Sequence, residues 1–115
     1  FSLQGVEQAL EVIELVRDSL HPDLDWLGVV LNIADMRLVH AREAQAQLKE
    51  RFGEKVFDTV IRRSVRYAES AERGVSILDF APELGADYLA LAGEVLDRLG
   101  DFEEERGLLR TLTPA

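Results

Sequence analysis

The sequence contains no cysteine, which excludes a disulfide framework and any thiolate-ligated zinc site. Its two histidines, His21 and His40, lie 19 residues apart, without metal-ligand spacing, and read as surface or helix-end residues. No apolar run approaches the ~18 residues that a membrane span needs, so no membrane partner is expected. The opening residues Phe1-Ser2-Leu3-Gln4 bring no basic stretch, so they do not read as a signal peptide. Positive charge is scarce, with 13 Lys+Arg against 22 Asp+Glu and a net charge of −9. That balance argues against a chain that coats nucleic acid all over, although it leaves room for one local basic patch.

What is present is ordinary for a folded domain. Hydrophobic residues make up 47% and charged residues 30% of 115 positions, which fits one domain with a real core and opposes intrinsic disorder. Residues 3–20 read as a helix, because Val6, Ala9, Leu10, Ile13, Val16 and Leu20 recur at three- and four-residue spacing. Ser2 is the expected N-cap, and Pro22 ends the helix by pushing its predecessor out of the helical region. Leu27-Gly28-Val29-Val30-Leu31-Asn32-Ile33 is continuously apolar until its end, the pattern of a parallel strand buried on both faces.

A second helix is predicted over about 38–52, with Ala41, Ala44, Leu48 and Phe52 buried and Gly53 as a left-handed C-terminal cap. Val56–Ile61 is a second strand, rich in β-branched residues. A loop or short helix covers 62–73, and Val75-Ser76-Ile77-Leu78 reads as a third short strand. Pro82 and Gly85 frame a last helix over about 83–99, with a stripe of Tyr88, Leu91, Ala92, Val95 and Leu99, and Gly100 as its stop. Residues 101–115 form an acidic, partly apolar tail. Such alternation means an α/β fold with a mainly parallel sheet. Two or three strands are few for a sheet buried on both faces, the first element is a helix, and the chain begins with Phe. The expectation is the C-terminal half of a larger α/β domain.

Five phrases in order carry a family resemblance: FSLQG at 1–5, IELVRDSLHPDLDWLGVVLN at 13–32, FGEKVFDTVI at 52–61, SVRYAES at 64–70 and SILDFAPELGADYLALA at 76–92. Over about 1–99 the chain resembles the C-terminal half of the ParA/Soj partitioning ATPases, of the MinD-like deviant P-loop superfamily. The resemblance implies a doubly wound, mainly parallel sheet flanked by helices, P-loop NTPase-like. Residues 1–100 would be the C-terminal part of the nucleotide-binding domain and 101–115 a tail. It also implies ATP and Mg²⁺ as cofactors of the full-length protein, a homodimer, non-specific DNA and a ParB-like protein as partners, and a cytoplasmic, nucleoid-associated location in a bacterium. The family's phosphate-binding loop belongs to its N-terminal half. No G-x-x-x-x-G-K-[ST] occurs in this chain, so the backbone cradle and Mg²⁺-binding hydroxyl of phosphoryl transfer are missing. The chain alone should bind no nucleotide and hydrolyse no ATP.

The candidate residues cluster in two places. Asn32 ends the first strand, where ligands of open α/β sheets bind. Its amide offers donors and an acceptor for an adenine edge, as the resemblance implies, or it simply makes a turn. The segment Ile61-Arg62-Arg63-Ser64-Val65-Arg66 stands where the family usually reads I-P-R-N-V-R. Arg62 replaces a proline and Ser64 an asparagine. Without the proline the loop is freer, and Arg62 could stack on a base or reach a phosphate. Arg63 and Arg66 are the candidate DNA contacts, salt-sensitive and sequence-blind as phosphate contacts are. The alternative is a solvated turn in which Arg66 pairs with Glu69 and Glu72.

Asp35, Asp79 and Glu83 are not brought together by any spacing and read as solvated charges. Trp26 reads as a packing residue. Two functions compete: the half of a ParA-type ATPase that frames the base pocket and carries DNA-contact arginines, or a non-catalytic ParA-like interaction module that has lost nucleotide binding. Arg62, Ser64 and Leu84, where the family usually has Ser, favour the second.

Overall fold

The computed structural model describes residues 3–105. Ser2, the expected N-cap, and most of the expected tail, 106–115, lie outside the described residues. The elements are α1 (Leu3–Ser19), β1 (Val29–Ala34), α2 (Val39–Phe52), a 3₁₀ turn (Gly53–Lys55), β2 (Val56–Arg62), α3 (Arg66–Arg73), α4 (Ile77–Phe80) and α5 (Pro82–Glu105).

β1 and β2 pair in parallel, with α2 in the connection between them. Val29 is paired with Val56, Leu31 with Val60 and Ala34 with Arg62. Three residues of β1, 29–31, therefore face five of β2, 56–60, and β2 bulges there. The bulge frees the N–H groups of Asp58 and Thr59, and both donate to the Glu94 carboxylate of α5. Thr59 Oγ1 donates to the same carboxylate. An acid on a helix thus covers backbone donors that a strand edge would leave open.

The core lies where α2 and α5 meet β2. Leu48 is 1% exposed, and Ala44, Val56, Phe57, Ile61, Ala81 and Leu84 are buried with it. Of the expected α2 face, Ala44 and Leu48 are buried and Ala41 and Phe52 half-buried. Gly53 has the expected positive φ, 58°, and its N–H reaches Lys49 O, but ψ of −126° carries the chain into the 3₁₀ turn instead of a left-handed cap.

Three further expectations fail. Val75–Leu78 is not a strand: the segment enters α4, and Ser76 Oγ accepts the Leu78 N–H at 3.1 Å as its N-cap. Four residues with three apolar side chains are too few for periodicity to tell a strand from a helical turn. Gly100 does not stop α5, which continues to Glu105; one glycine weakens a helix by only about 1 kcal/mol. The strand expected over 27–33 spans 29–34, and it is not buried on both faces: Val29, Val30 and Leu31 are half-buried and Asn32 is exposed. Among the described residues β1 has one neighbour, β2.

α1 buries no residue. Arg17 Nε donates to Leu24 O at 2.6 Å, and Arg51 pairs with Glu7 at 2.9 Å. Val12 and Leu15 stay exposed. In α5 the sheet-facing side carries Leu84, Asp87, Leu91, Glu94, Val95 and Arg98, whereas Tyr88, Leu89, Ala92, Leu96 and Leu99 are exposed. No described helix is long and apolar enough to cross a membrane.

Candidate functional site

The carboxyl ends of β1 and β2 lie side by side, because the strands are parallel and Ala34 pairs with Arg62. The Arg63 N–H also donates to Ala34 O at 3.0 Å. Two short segments, 34–37 after β1 and 62–65 after β2, therefore form the walls of an open cleft of about 880 Å³. A second cleft of about 330 Å³ brings Asn32, Arg62 and Arg63 together with Ser64, Tyr67 and Tyr88. Tyr67 and Tyr88 meet edge-to-face at 5.8 Å, which fixes one wall. Burial raises the Tyr67 hydroxyl's pKa, with the nearby Asp87 charge adding to the shift.

The arginines of this region are held very differently. Arg62 is turned onto α5. Its N–H and Nε both donate to Asp87 Oδ2, at 3.2 and 2.9 Å, and its Nη2 donates to Glu83 O. The hydrogen bond and charge of Asp87 raise the Arg62 pKa further, so it is a permanent cation. Arg66 Nη1 donates to Glu83 Oε1 at 2.9 Å and Nη2 to Phe80 O at 3.1 Å, with the guanidinium 5.0 Å from the Phe80 ring centre. The partner is thus Glu83, not Glu69 or Glu72. Ser64 Oγ accepts the Arg66 N–H at 3.2 Å, a local turn bond just ahead of α3. Arg63 is exposed, and among the described residues its guanidinium makes no hydrogen bond or ion pair.

On the other wall, Arg37 grips Asp35 with two side-chain bonds of 2.9 and 2.8 Å, while its own N–H donates to Asp35 Oδ1 at 3.1 Å. These bonds, the side-chain ones foremost, lower the Asp35 pKa to about 2, with the Arg63 charge adding a little. Asp35, Asp79 and Glu83 do not come together as an acid–base set, and no cluster able to hold a metal exists among the described residues. Trp26 packs edge-to-face on Phe52 at 5.9 Å, as a packing residue should.

The sequence pattern does not by itself mark Arg37, Asp87, Glu94 or Arg98. The i, i+7 and i+11 spacing of Asp87, Glu94 and Arg98 along one side of α5 was the available signal. Charged residues at those positions interrupt an apolar stripe, which masks the signal.

Two parallel strands with α2 between them, and a basic cleft at their carboxyl ends, define an α/β protein of the open-sheet class. The relatives narrow that class. An uncharacterized protein of Mycobacterium tuberculosis is 43% identical over 102 residues, 87% of this chain and 32% of the relative. The chromosome-partitioning ATPase Soj of Thermus thermophilus is 44% identical over 101 residues, 86% of this chain and 41% of Soj. The chromosome partitioning protein ParA of Caulobacter vibrioides is 38% identical over 103 residues, 88% of this chain and 39% of ParA. No protein-family model matches the chain. The chain is homologous over most of its length to chromosome-partitioning ATPases of the ParA/Soj type. It spans about a third to about two fifths of the length of these relatives.

Proposed function

We propose that the chain is the C-terminal part of a ParA/Soj-like ATPase acting in chromosome or plasmid partitioning. In this reading residues 1–100 complete a doubly wound, P-loop NTPase-like sheet, and 101–115 form a tail. Asn32 and Arg62 form the adenine-side wall of an ATP site, and Arg63 and Arg66 contact DNA phosphates. The observation that carries the reading is the convergence of Asn32, Arg62 and Arg63 on one cleft at the carboxyl ends of parallel strands.

The chemistry of these residues fits the roles. An exposed amide at a strand end offers donors and an acceptor to a base edge. Arg62, oriented by Asp87, lines the pocket as a fixed wall. Arg63 is exposed at the edge of the cleft and its guanidinium has no hydrogen-bond or ion-pair partner among the described residues; arginine binds phosphate through a planar fork of donors. ATP and Mg²⁺ would enter through the phosphate-binding half of the full-length protein. In this reading the full-length protein works as a homodimer that meets non-specific DNA and a ParB-like partner in the bacterial cytoplasm at the nucleoid; the names of the relatives support the role in chromosome partitioning.

A second reading is a non-catalytic ParA-like interaction module. The satisfaction of Arg62 and Arg66 by carboxylates of the same chain favours it. Titration of the full-length protein with a fluorescent ATP analogue separates the two. Under the first reading it binds, and Asn32→Ala weakens binding by roughly five- to twentyfold, the value of one or two lost polar contacts. Absence of binding by the unaltered protein selects the module.

A further inference from the structure

Glu83 and Asp87 stand one turn apart on α5, and each faces a different arginine of the 62–66 segment. The two pairs are unequal. Asp87 is 15% exposed and takes both the Arg62 N–H and its Nε. Glu83 is 61% exposed and holds Arg66 by one side-chain bond of 2.9 Å. Arg63, between them in sequence, is held by neither. The two paired arginines are themselves similarly exposed, 48% for Arg62 and 43% for Arg66, so the difference lies in their acids: Arg62 is bonded twice to a shielded carboxylate, Arg66 once to an exposed one, and Arg63 to none among the described residues.

We propose that Glu83 tunes the phosphate affinity of this surface by competing with phosphate for Arg66, while Asp87 engages Arg62 and leaves Arg63 as the leading phosphate contact. The proposal rests on the reading of Arg63 and Arg66 as DNA contacts. A solvent-screened pair is worth little, and a phosphate oxyanion offers Arg66 the same fork–fork geometry as a carboxylate. Displacement of Glu83 is thus possible, but each DNA contact by Arg66 must first break its bond to Glu83. The carboxylate so released remains beside the phosphate and repels it. The bond from Arg66 Nη2 to Phe80 O and the contact with the Phe80 ring are compatible with this exchange, because they leave Nη1 free to change partner.

The test is DNA binding by the full-length protein, read as affinity for a labelled duplex of arbitrary sequence. Glu83→Gln removes the competing charge with little change of shape. Asp97→Asn, on the same helix and exposed, removes one charge away from the arginines and corrects for net charge. Glu83→Gln is expected to tighten binding roughly two- to fivefold beyond Asp97→Asn, the range open to a surface pair. That gain should vanish when Arg66→Ala is added, and Arg63→Ala alone should weaken binding more than Arg66→Ala alone. If Glu83→Gln and Asp97→Asn behave alike, or the gain persists without Arg66, the proposal is overturned while DNA binding itself stands. If no form binds the duplex at low salt, the DNA reading falls and the proposal with it.

Discussion

The Arg98 guanidinium lies 4.0 Å from the ring centre of Phe57, and the stacking sets its fork among backbone carbonyls. Nη1 donates to Leu27 O and Lys55 O at 3.3 and 3.1 Å, and Nη2 to Val56 O at 3.1 Å. One residue of α5 thus ties together the segments entering β1 and β2. Stacking and multiple donors make arginine the side chain for such a staple.

Gly28 lies inside this staple, and its lack of a side chain is what admits it. A Cβ there would collide with Lys55 O and lie 2.7 Å from Arg98 Nη1. Gly28→Ala should destabilise the full-length protein by about 1–3 kcal/mol, the usual effect of overpacking. Urea denaturation with an unchanged m-value is the measurement; an unchanged midpoint would mean that the backbone yields without penalty.

Glu94 gives the fold an acid-sensitive clamp. Burial opposes its ionisation, but the hydrogen bonds from the Thr59 hydroxyl and from the Asp58 and Thr59 N–H groups, with the Arg98 charge, outweigh burial and lower its pKa from 4.5. A carboxylate with a depressed folded pKa contributes stability that is full above its unfolded pKa and is lost as pH falls through the folded value. Glu94→Gln should therefore be less stable than the unaltered protein near neutral pH, and the gap should narrow below about pH 4.5. Denaturation midpoints measured across that range check it, and a gap independent of pH would assign the effect to packing.

Arg66→Ala in the full-length protein should weaken DNA binding evenly across sequences and reduce the slope of log affinity against log salt by about one. A binding titration at several salt concentrations reads both. Unchanged affinity and slope would return Arg66 to the role of an internal partner for Glu83 and Phe80.

The isolated 115-residue chain should not remain a well-behaved monomer. Among the described residues β1 is paired on one side only, and Leu89 and Leu96 of α5 are 62% and 68% exposed. Open strand edges and apolar faces recruit other chains. The net charge of −9 opposes association, but salt screens it within about 10 Å at 0.1 M. Sedimentation at several concentrations is the check; one monomeric species with a cooperative melt at high concentration would contradict the expectation.

The sequence by itself determined the local elements and the class. The spacing of Ala44 and Leu48 fixed α2 and its buried face, the β-branched run fixed β2, and their alternation fixed a parallel α/β arrangement. These features are legible because a 3.6- or 2-residue period records which side of an element meets the core. The ordered phrases around Asn32 and Arg66 pointed to the ParA/Soj type, which the relatives bear out. The tertiary structure alone decided the rest. It made Val75–Leu78 part of a helical turn, left β1 half-exposed, and gave Arg62 to Asp87 and Arg66 to Glu83, 25 and 17 residues away. Arg98 reached across 71 residues to Leu27 O. Periodicity sorts residues into apolar and polar faces; it carries no record of which backbone donor or carbonyl a charged side chain will meet. That choice depends on where bulges and strand ends fall in space, and here it placed three charged residues of α5 on the side that faces the sheet.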